Sequence, residues 1–83
     1  AVFCSDVNWM SVPDPEYGQK IRGIVKIRYR NEGRSAWIEA GTKQSARICF
    51  EEPVRAAAPG QSAVFYDEEG CLIGGGIIRS AEA

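Results

Sequence analysis

Basic side chains are concentrated in one short stretch of this 83-residue sequence, although its formal net charge is −1. Between residues 20 and 34 a single acid, Glu32, is accompanied by six basic residues, namely Lys20, Arg22, Lys26, Arg28, Arg30 and Arg34. Local asymmetry of charge matters more than the total when the partner is an anion. Lys26, Arg28 and Arg30 share one face of a predicted strand with Tyr29 beside them, a spacing suited to a phosphate backbone. A solvated outer strand face would have the same composition, so both interpretations stay open.

The sequence contains none of the common catalytic constellations. Because it has no histidine, Ser-His-Asp and Cys-His arrangements are excluded. Its three cysteines, Cys4, Cys49 and Cys71, lack Cys-x-x-Cys spacing, so we expect reduced and mostly buried thiols rather than a disulfide or a metal site. The acidic pairs at residues 51–52 and 68–69 are not expected to act as paired carboxylates, since neighbouring strand residues point to opposite faces and turn acids are usually solvated.

The clearest strand predicted from the sequence extends over residues 20–30. Alternation with a period of two gives it a core face of five residues, Ile21, Gly23, Val25, Ile27 and Tyr29. The opposite face carries the basic residues and is expected to meet solvent. Residues 36–40 are expected to return as an antiparallel partner, and residues 44–51 to form the strand after that.

Turn signals separate the remaining apolar segments. Pro59 and Gly60 predict a type II turn, in which the glycine takes a positive φ, before a largely buried strand at residues 62–66. Residues 67–70 predict a second turn that leads into a hairpin partner. The glycines at 74–76 are expected at a bend or bulge of that partner, because they lack the Lys-Ser/Thr of a phosphate loop and precede a strand.

About six short strands with turns between them predict an all-β fold, either a barrel or a sandwich. A small closed antiparallel β-barrel is favoured, since closure removes exposed edges from so small a sheet. Residues 1–10 resemble an edge strand, anchored on the core by Trp9. Residues 1–83 are expected to form one domain and, because they begin in apolar sequence without methionine, a fragment of a longer protein. No apolar run could cross a bilayer and no signal peptide is recognisable, so a cytoplasmic protein is expected.

Five blocks of sequence, taken in order, resemble a known family. They are Asp-Val-Asn-Trp at 6–9, Lys-Ile-Arg-Tyr-Arg at 26–30, Phe-Glu-Glu-Pro at 50–53, Pro-Gly-Gln-Ser-Ala-Val-Phe-Tyr at 59–66 and Gly-Gly-Gly-Ile-Ile at 74–78. Together they are similar to the C-terminal domain of bacterial tRNA-specific 2-thiouridylases, over nearly the whole chain. The resemblance implies a β-barrel like the second domain of translation elongation factors.

The resemblance also implies an activity for the parent enzyme. Members of that family use ATP to adenylate the wobble uridine of certain tRNAs, then replace its 2-oxygen with sulfur carried on a cysteine persulfide. The adenylation motif and both catalytic cysteines belong to preceding domains, so this fragment is expected to be non-catalytic and to hold no cofactor itself. The implied partners are the anticodon region of tRNA, the catalytic domains of the parent chain and a sulfur-relay protein, with no membrane involved.

Matching the family's motifs onto this sequence implies tRNA contacts at Arg28, Tyr29 and Gln61. Lys26 and Arg30 are expected to add phosphate contacts beside them. Arg28 agrees with the basic stretch, whereas alternation puts Tyr29 on the core face, where the mouth of the barrel would leave its ring partly exposed. The alternative is a purely structural docking or protein-interaction barrel with no direct RNA role. Salt dependence separates the two, because phosphate binding weakens steeply with added salt.

Overall fold

Six β-strands form the regular structure of this protein. The computed structural model describes residues 1–10, 15–27, 33–42, 44–52 and 58–81. In chain order the strands are β1 (Val2–Trp9), β2 (Lys20–Ile27), β3 (Arg34–Ala40), β4 (Ala46–Phe50), β5 (Ser62–Tyr66) and β6 (Leu72–Ala81). Turns and connections make up the rest of these ranges, which contain no helix. Accordingly, no helix in this part of the chain is long and apolar enough to span a membrane.

The strands close into an antiparallel barrel in the order β1-β4-β3-β2-β5-β6, with β6 returning to β1. The predicted all-β fold and closed barrel are therefore confirmed. The prediction of an edge strand at residues 1–10 is wrong, because β1 is paired on both sides: Val2 lies opposite Ile48 of β4, and Cys4 lies opposite Ile78 of β6. Closure leaves none of the six described strands with an unpaired edge.

Side chains from all six strands fill the barrel, at alternate positions in β2 to β5, whereas register shifts interrupt the alternation in β1 and β6. On β2, Gly23, Val25 and Ile27 are buried and Ile21 packs against the core, which confirms the predicted alternation up to residue 27. Residues 28–30 of that predicted strand lie outside the described residues. Burial of one large apolar side chain contributes roughly 1.5–3 kcal/mol. The least exposed large side chains are Phe65, Ile38, Ile48, Ile78, Val7 and Val25.

The glycines of β6 lie where neighbouring backbones come closest. A Cβ atom at Gly74 would be 2.6 Å from the carbonyl oxygen of Asn8 on β1, closer than real side chains come. Between Ser5 and Asn8, β1 has one residue more than β6, and in this bulge Asp6 takes a positive φ of 52°. Arg79 holds the bulge, since its guanidinium donates to Ser5 Oγ and, over 2.9 Å, to Asp6 Oδ2. The bulge at the glycines thus belongs to the partner strand β1, whereas the irregularity of β6 itself lies between Leu72 and Gly74.

Both predicted turns have the expected backbone. Gly60 has a φ of 92°, and the turn is closed by the N–H of Gln61, which donates to the carbonyl oxygen of Ala58 over 3.2 Å. Gly70 has a φ of 90°, and its N–H donates to the carbonyl oxygen of Asp67 over 3.0 Å. Glycine suits both positions because side chains disfavour a positive φ.

The three thiols lie in three different environments, and all of them are free. Cys4 is buried in the core, Cys49 is partly buried on β4, and Cys71 is exposed just after the second turn. The expectation that the cysteines are mostly buried is wrong for Cys71, because the turn before β6 faces solvent. Desolvation by burial raises the pKa of the Cys4 thiol from 9.0 to about 11.

We predict that adjacent residues of β3 differ sharply in their contribution to stability. Ile38 is fully buried, whereas Trp37 is 43% exposed. Replacing Ile38 by alanine should lower the free energy of unfolding by about 2–5 kcal/mol, through lost burial and a cavity. Trp37→Ala should cost about 1 kcal/mol or less, the scale of an exposed cation–π contact. Urea denaturation of both variants measures this, and equal losses would contradict the described register.

We also predict that Cys4 resists alkylation in the folded protein. With a pKa of about 11, roughly a thousandth of this thiol is ionised at pH 8, and the core blocks access to it. Cys71 is exposed and should react much faster. Peptide mass spectrometry after timed iodoacetamide treatment gives both rates, and a urea-unfolded sample is the control in which the two rates should converge. Modification of Cys4 as fast as Cys71 in the folded protein would disprove its burial.

Candidate nucleic-acid interface

Two of the five residues predicted to contact RNA belong to the described part of the chain. These are Lys26, near the end of β2, and Gln61, immediately before β5. Arg28, Tyr29 and Arg30 lie outside the described residues. The described part of the predicted site therefore consists of Lys26, Gln61 and the strands β2 and β5 that hold them.

Backbone and side-chain hydrogen bonds fix Gln61 at one mouth of the barrel. Its side-chain oxygen Oε1 accepts a hydrogen bond of 2.8 Å from the N–H of Ala58, and its carbonyl oxygen accepts one of 2.8 Å from the N–H of Ile78 on β6. The neighbouring Gly60 N–H donates to the carbonyl oxygen of Ile78, also over 2.8 Å. With Oε1 engaged in the turn, the Nε2 amino group of this partly buried residue is the end left to donate to a ligand.

A second turn of the same design precedes β2. Gly18 has a φ of 82°, and Oε1 of Gln19 accepts a hydrogen bond of 3.1 Å from the N–H of Glu16. Ala40 of β3 anchors this turn as Ile78 anchors the other, because it accepts from the Gly18 N–H and donates to the Gln19 carbonyl oxygen. Since β2 and β5 are antiparallel neighbours, the two turns lie at opposite ends of the barrel.

Lys26 lies on the outer face of the barrel, opposite Val64 of β5. Its ammonium nitrogen lies 5.1 Å from the ring centroid of Tyr66, a cation–π contact that bends the side chain along β5, away from Gln61. No carboxylate among the described residues pairs with it. A contact of this kind contributes about 0.5–1 kcal/mol at an exposed site, so it leaves the flexible lysine free to move to a phosphate.

The pairing of β2 with β5 joins the two parts of the predicted site. Ile27, which directly precedes Arg28 in the sequence, lies opposite Ala63. Gln61 is two residues from Ala63 along the chain, a distance of roughly 7 Å in extended backbone. The end of β2 at Ile27 therefore lies at the same end of the barrel as the Gln61 turn, which leads into β5.

Arg22, a member of the predicted basic face, is already occupied by acids of the same chain. Its guanidinium forms ion pairs with Glu51 and, at 3.8 Å, with Glu68, and it lies 5.6 Å from the ring centroid of Trp37. Glu68 was expected to be a solvated turn acid, and its side chain is 68% exposed, although it also pairs with Arg22. Nothing local in the sequence marks this pairing, because closure of the barrel brings these distant segments together.

The functional groups of Lys26 and Gln61 are of the kind that contacts nucleic acid. Among the described residues, no group of three or more His, Cys, Asp or Glu residues is placed to hold a metal ion. Lys26 provides a point charge and Gln61 an amide donor, which are typical contacts to phosphates and to base edges or sugars. The role of Gln61 came from the family resemblance alone. The repeated Gly-Gln at residues 18–19 and 60–61, each before a strand, is the signal by which its structural part could have been recognised.

Comparison with known proteins agrees with this architecture. The family model described as the aminomethyltransferase β-barrel domain matches residues 1–78. The tRNA-specific 2-thiouridylase MnmA of Pseudomonas paraeruginosa is 42% identical over 83 residues, which is 100% of this chain and 21% of that protein. MnmA of Pseudomonas fluorescens is 43% identical over 82 residues, covering 99% and 21%. MnmA of Pseudoalteromonas translucida is 54% identical over 59 residues, covering 71% and 16%.

The chain spans about one fifth of the length of the first of these curated relatives, 21%. The similarity is nevertheless continuous from one end of the chain to the other, and the closed six-strand barrel is the architecture that the family's description names. The chain belongs to the aminomethyltransferase β-barrel domain family, and its resemblance to the C-terminal domain of bacterial tRNA-specific 2-thiouridylases is confirmed.

Proposed function

We propose that this barrel is the non-catalytic, tRNA-contacting domain of an ATP-dependent tRNA 2-thiouridylase, an enzyme that installs sulfur at C2 of the wobble uridine. Catalysis then belongs to the other domains of the parent chain, which bind ATP and receive persulfide sulfur from a relay protein in the cytoplasm. The barrel contacts the anticodon region of tRNA through Arg28, Tyr29 and Gln61, and Lys26 and Arg30 add phosphate contacts.

One observation carries this proposal: the register of β2 against β5. Ile27 lies opposite Ala63, so the end of β2 that carries Lys26 is at the barrel end occupied by Gln61. Lys26 and Gln61, which are far apart in the sequence and were both expected to contact RNA, thus lie at one end of the fold, and this supports the proposal. The relatives' name, tRNA-specific 2-thiouridylase, supports tRNA as the partner.

The proposed contacts combine attraction to phosphate with a directional donor. Lysine and arginine side chains release counterions from the RNA backbone, which gives affinity without sequence preference. The Gln61 amide, held by its turn, donates in a fixed direction and so helps to set the orientation of the RNA. With so few phosphate contacts, the isolated barrel should bind weakly, and the rest of the enzyme should provide most of the affinity.

The alternative function is a barrel that only docks on protein, and the ion pairs of Arg22 are the observation that supports it. Glu51 and Glu68 neutralise that part of the basic face within the chain itself. Lys26 lacks such a partner among the described residues, so the argument does not extend to the end of β2. The RNA-contacting function is therefore assigned to that end of the barrel and not to the whole strand face.

We predict that Gln61→Glu weakens binding of a tRNA anticodon stem-loop roughly tenfold, because it sets a carboxylate where a donor faces phosphate. The substitution keeps the oxygen that accepts from Ala58, so the turn should persist. Gln19→Glu is the matched control, since it makes the same change in a turn of the same design at the opposite end. NMR titration of the 83-residue chain at low and moderate salt measures both.

In the unsubstituted chain, the shifts in this titration should cluster at residues 26–30 and at Gln61 and should fade as salt is added. Equal weakening by both glutamate substitutions would reject this end of the barrel as the contact. A complete absence of shifts, even at low salt, would support the purely structural role.

A second prediction concerns the salt dependence of binding. Lys26→Gln should lower the slope of log affinity against log salt by about 1, as expected for one lost phosphate contact. Lys20→Gln, at the other end of the same strand, removes the same charge and should leave the slope unchanged. Fluorescence anisotropy of a labelled stem-loop over a salt series gives the slopes. If the two variants gave the same slope, net charge and not position would govern binding.

A further inference from the structure

A large aromatic side chain is exposed in the middle of the sheet, on the wall formed by β2, β3 and β4. Four large apolar side chains are exposed among the described residues: Met10, Tyr17, Trp37 and Leu72. Met10 follows β1, Tyr17 lies in a turn and Leu72 is the first residue of β6, so only Trp37 lies within a strand and away from its ends. Single exposed apolar residues are ordinary on protein surfaces, so what distinguishes Trp37 is its position inside a strand and the residues around it.

The surroundings of Trp37 form a shallow cavity. Its cross-strand neighbours are Arg22 on β2 and Cys49 on β4. The cavity has a volume of about 290 Å³, and its lining residues are Lys20, Trp37, Glu39, Arg47 and Cys49. We call this surface, together with Arg22, the Trp37 wall. Tryptophan and arginine at a concave centre, with charged residues around them, are the features of energetically important positions in protein interfaces.

The charges of the Trp37 wall favour a protein partner over a nucleic acid. Arg22 is paired with Glu51 and Glu68, as described above, and Arg47 lies 3.8 Å from Glu39. Lys20, the remaining cation, lies opposite the same Glu39 across the β2–β3 pair. The three cations are therefore balanced by three carboxylates. Because this wall has no net positive charge, it does not attract a phosphate backbone. Mixed charges around an apolar centre instead match the polar rim of a protein interface.

A second concave surface near exposed apolar residues has a structural explanation. It lies over the glycines of β6 and is bordered by Met10 and Leu72. Those glycines are accounted for by close backbone approach, since a Cβ at Gly75 would be 2.9 Å from the carbonyl oxygen of Ala63. No comparable packing constraint accounts for Trp37, which points away from the core.

We propose that the Trp37 wall is the surface by which this barrel docks on the catalytic part of its own enzyme, a protein surface that is apolar at its centre and carries both charge signs at its edge. This rests on the proposed function. The length of the relatives indicates what covers the Trp37 wall. The chain spans 21% of its relative from Pseudomonas paraeruginosa, so most of such an enzyme is available to cover the wall. Trp37 fills the centre of the interface, while the Lys26 and Gln61 end of the barrel stays open to tRNA.

The cysteines of the chain provide a direct test. Cys49 lies in the Trp37 wall and Cys71 lies outside it. Iodoacetamide labelling is followed by peptide mass spectrometry in the 83-residue chain and in the full-length enzyme that contains it. Relative to Cys71, labelling of Cys49 should be at least about tenfold slower in the full-length enzyme, because docking blocks access. Equal relative rates in the two proteins would overturn the proposal.

Substitution of Trp37 identifies the contact responsible. Protection of Cys49 is defined as its labelling rate relative to Cys71 in the 83-residue chain, divided by the same relative rate in the full-length enzyme. Because both proteins carry the substitution, any change in local exposure of Cys49 that it causes affects both rates and cancels in the ratio. Trp37→Ala should remove most of this protection. Leu72→Ala, on β6 and therefore on the opposite side of the barrel, removes a side chain of similar exposure, 40% against 43%, and should leave the protection intact. Protection that survives Trp37→Ala, or that is lost equally with Leu72→Ala, would overturn the proposal.

The two proposals fail in distinguishable ways. Loss of stem-loop binding in Gln61→Glu with no protection of Cys49 would reject docking at the Trp37 wall and leave the tRNA-contacting function standing. Protection of Cys49 that depends on Trp37, without any effect of Gln61→Glu on tRNA binding by the full-length enzyme, would support docking and reject the RNA contact. Urea denaturation of each variant verifies that the barrel itself is folded.

Discussion

Closure of the sheet by β6 onto β1 is the constraint on which the rest of this structure depends. A six-strand sheet closes only if its backbones approach closely and one strand bends, and the β6 glycines and the β1 bulge provide this. Asp6 takes a positive φ in the bulge, an unusual conformation for a residue with a side chain, and the ion pair with Arg79 supports it. Without closure, β1 and β6 would each present an unpaired edge.

In the sequence, β2 is a single basic strand. In the closed barrel, its two ends differ in whether carboxylates lie near their basic side chains. At the end of β2, near the Gln61 turn, Lys26 has no carboxylate partner among the described residues. At the beginning and middle of β2, Arg22 and Lys20 lie among carboxylates of β3, of the β4 end and of the β5–β6 turn. The proposed RNA contact and the proposed protein contact follow from this difference and need no change of shape.

The two Gly-Gln turns show how the fold places equivalent parts at opposite ends. Each turn closes on itself through a glutamine oxygen and is anchored to the neighbouring strand by a pair of backbone hydrogen bonds. Their strands are antiparallel neighbours, so a single local design serves both ends of the barrel. Only the turn at Gln61 lies beside the end of β2 that carries Lys26. Two turns of the same local design therefore have different surroundings.

Local sequence determined the strands, the turns and the direction in which each strand faces. Alternation fixed the inward side of β2, and proline and glycine fixed the turn before β5, because these are properties of a residue and its immediate neighbours. The closed topology was also predictable, since strand count and turn spacing favoured a barrel. The proposed contacts at Arg28 and Tyr29 came from the family resemblance and not from the pattern itself.

Tertiary structure alone decided which distant residues meet. The pairing of Arg22 with Glu51 and Glu68, the two-sided pairing of β1 and the exposure of Cys71 were not predicted correctly. Each depends on strand order and register around the closed sheet, and no local propensity encodes these. A shift of one residue in register would move Trp37 from the outer wall to the core, because successive strand residues face opposite sides. Local sequence thus specified the strands and turns, and closure of the barrel specified which of their residues lie next to one another.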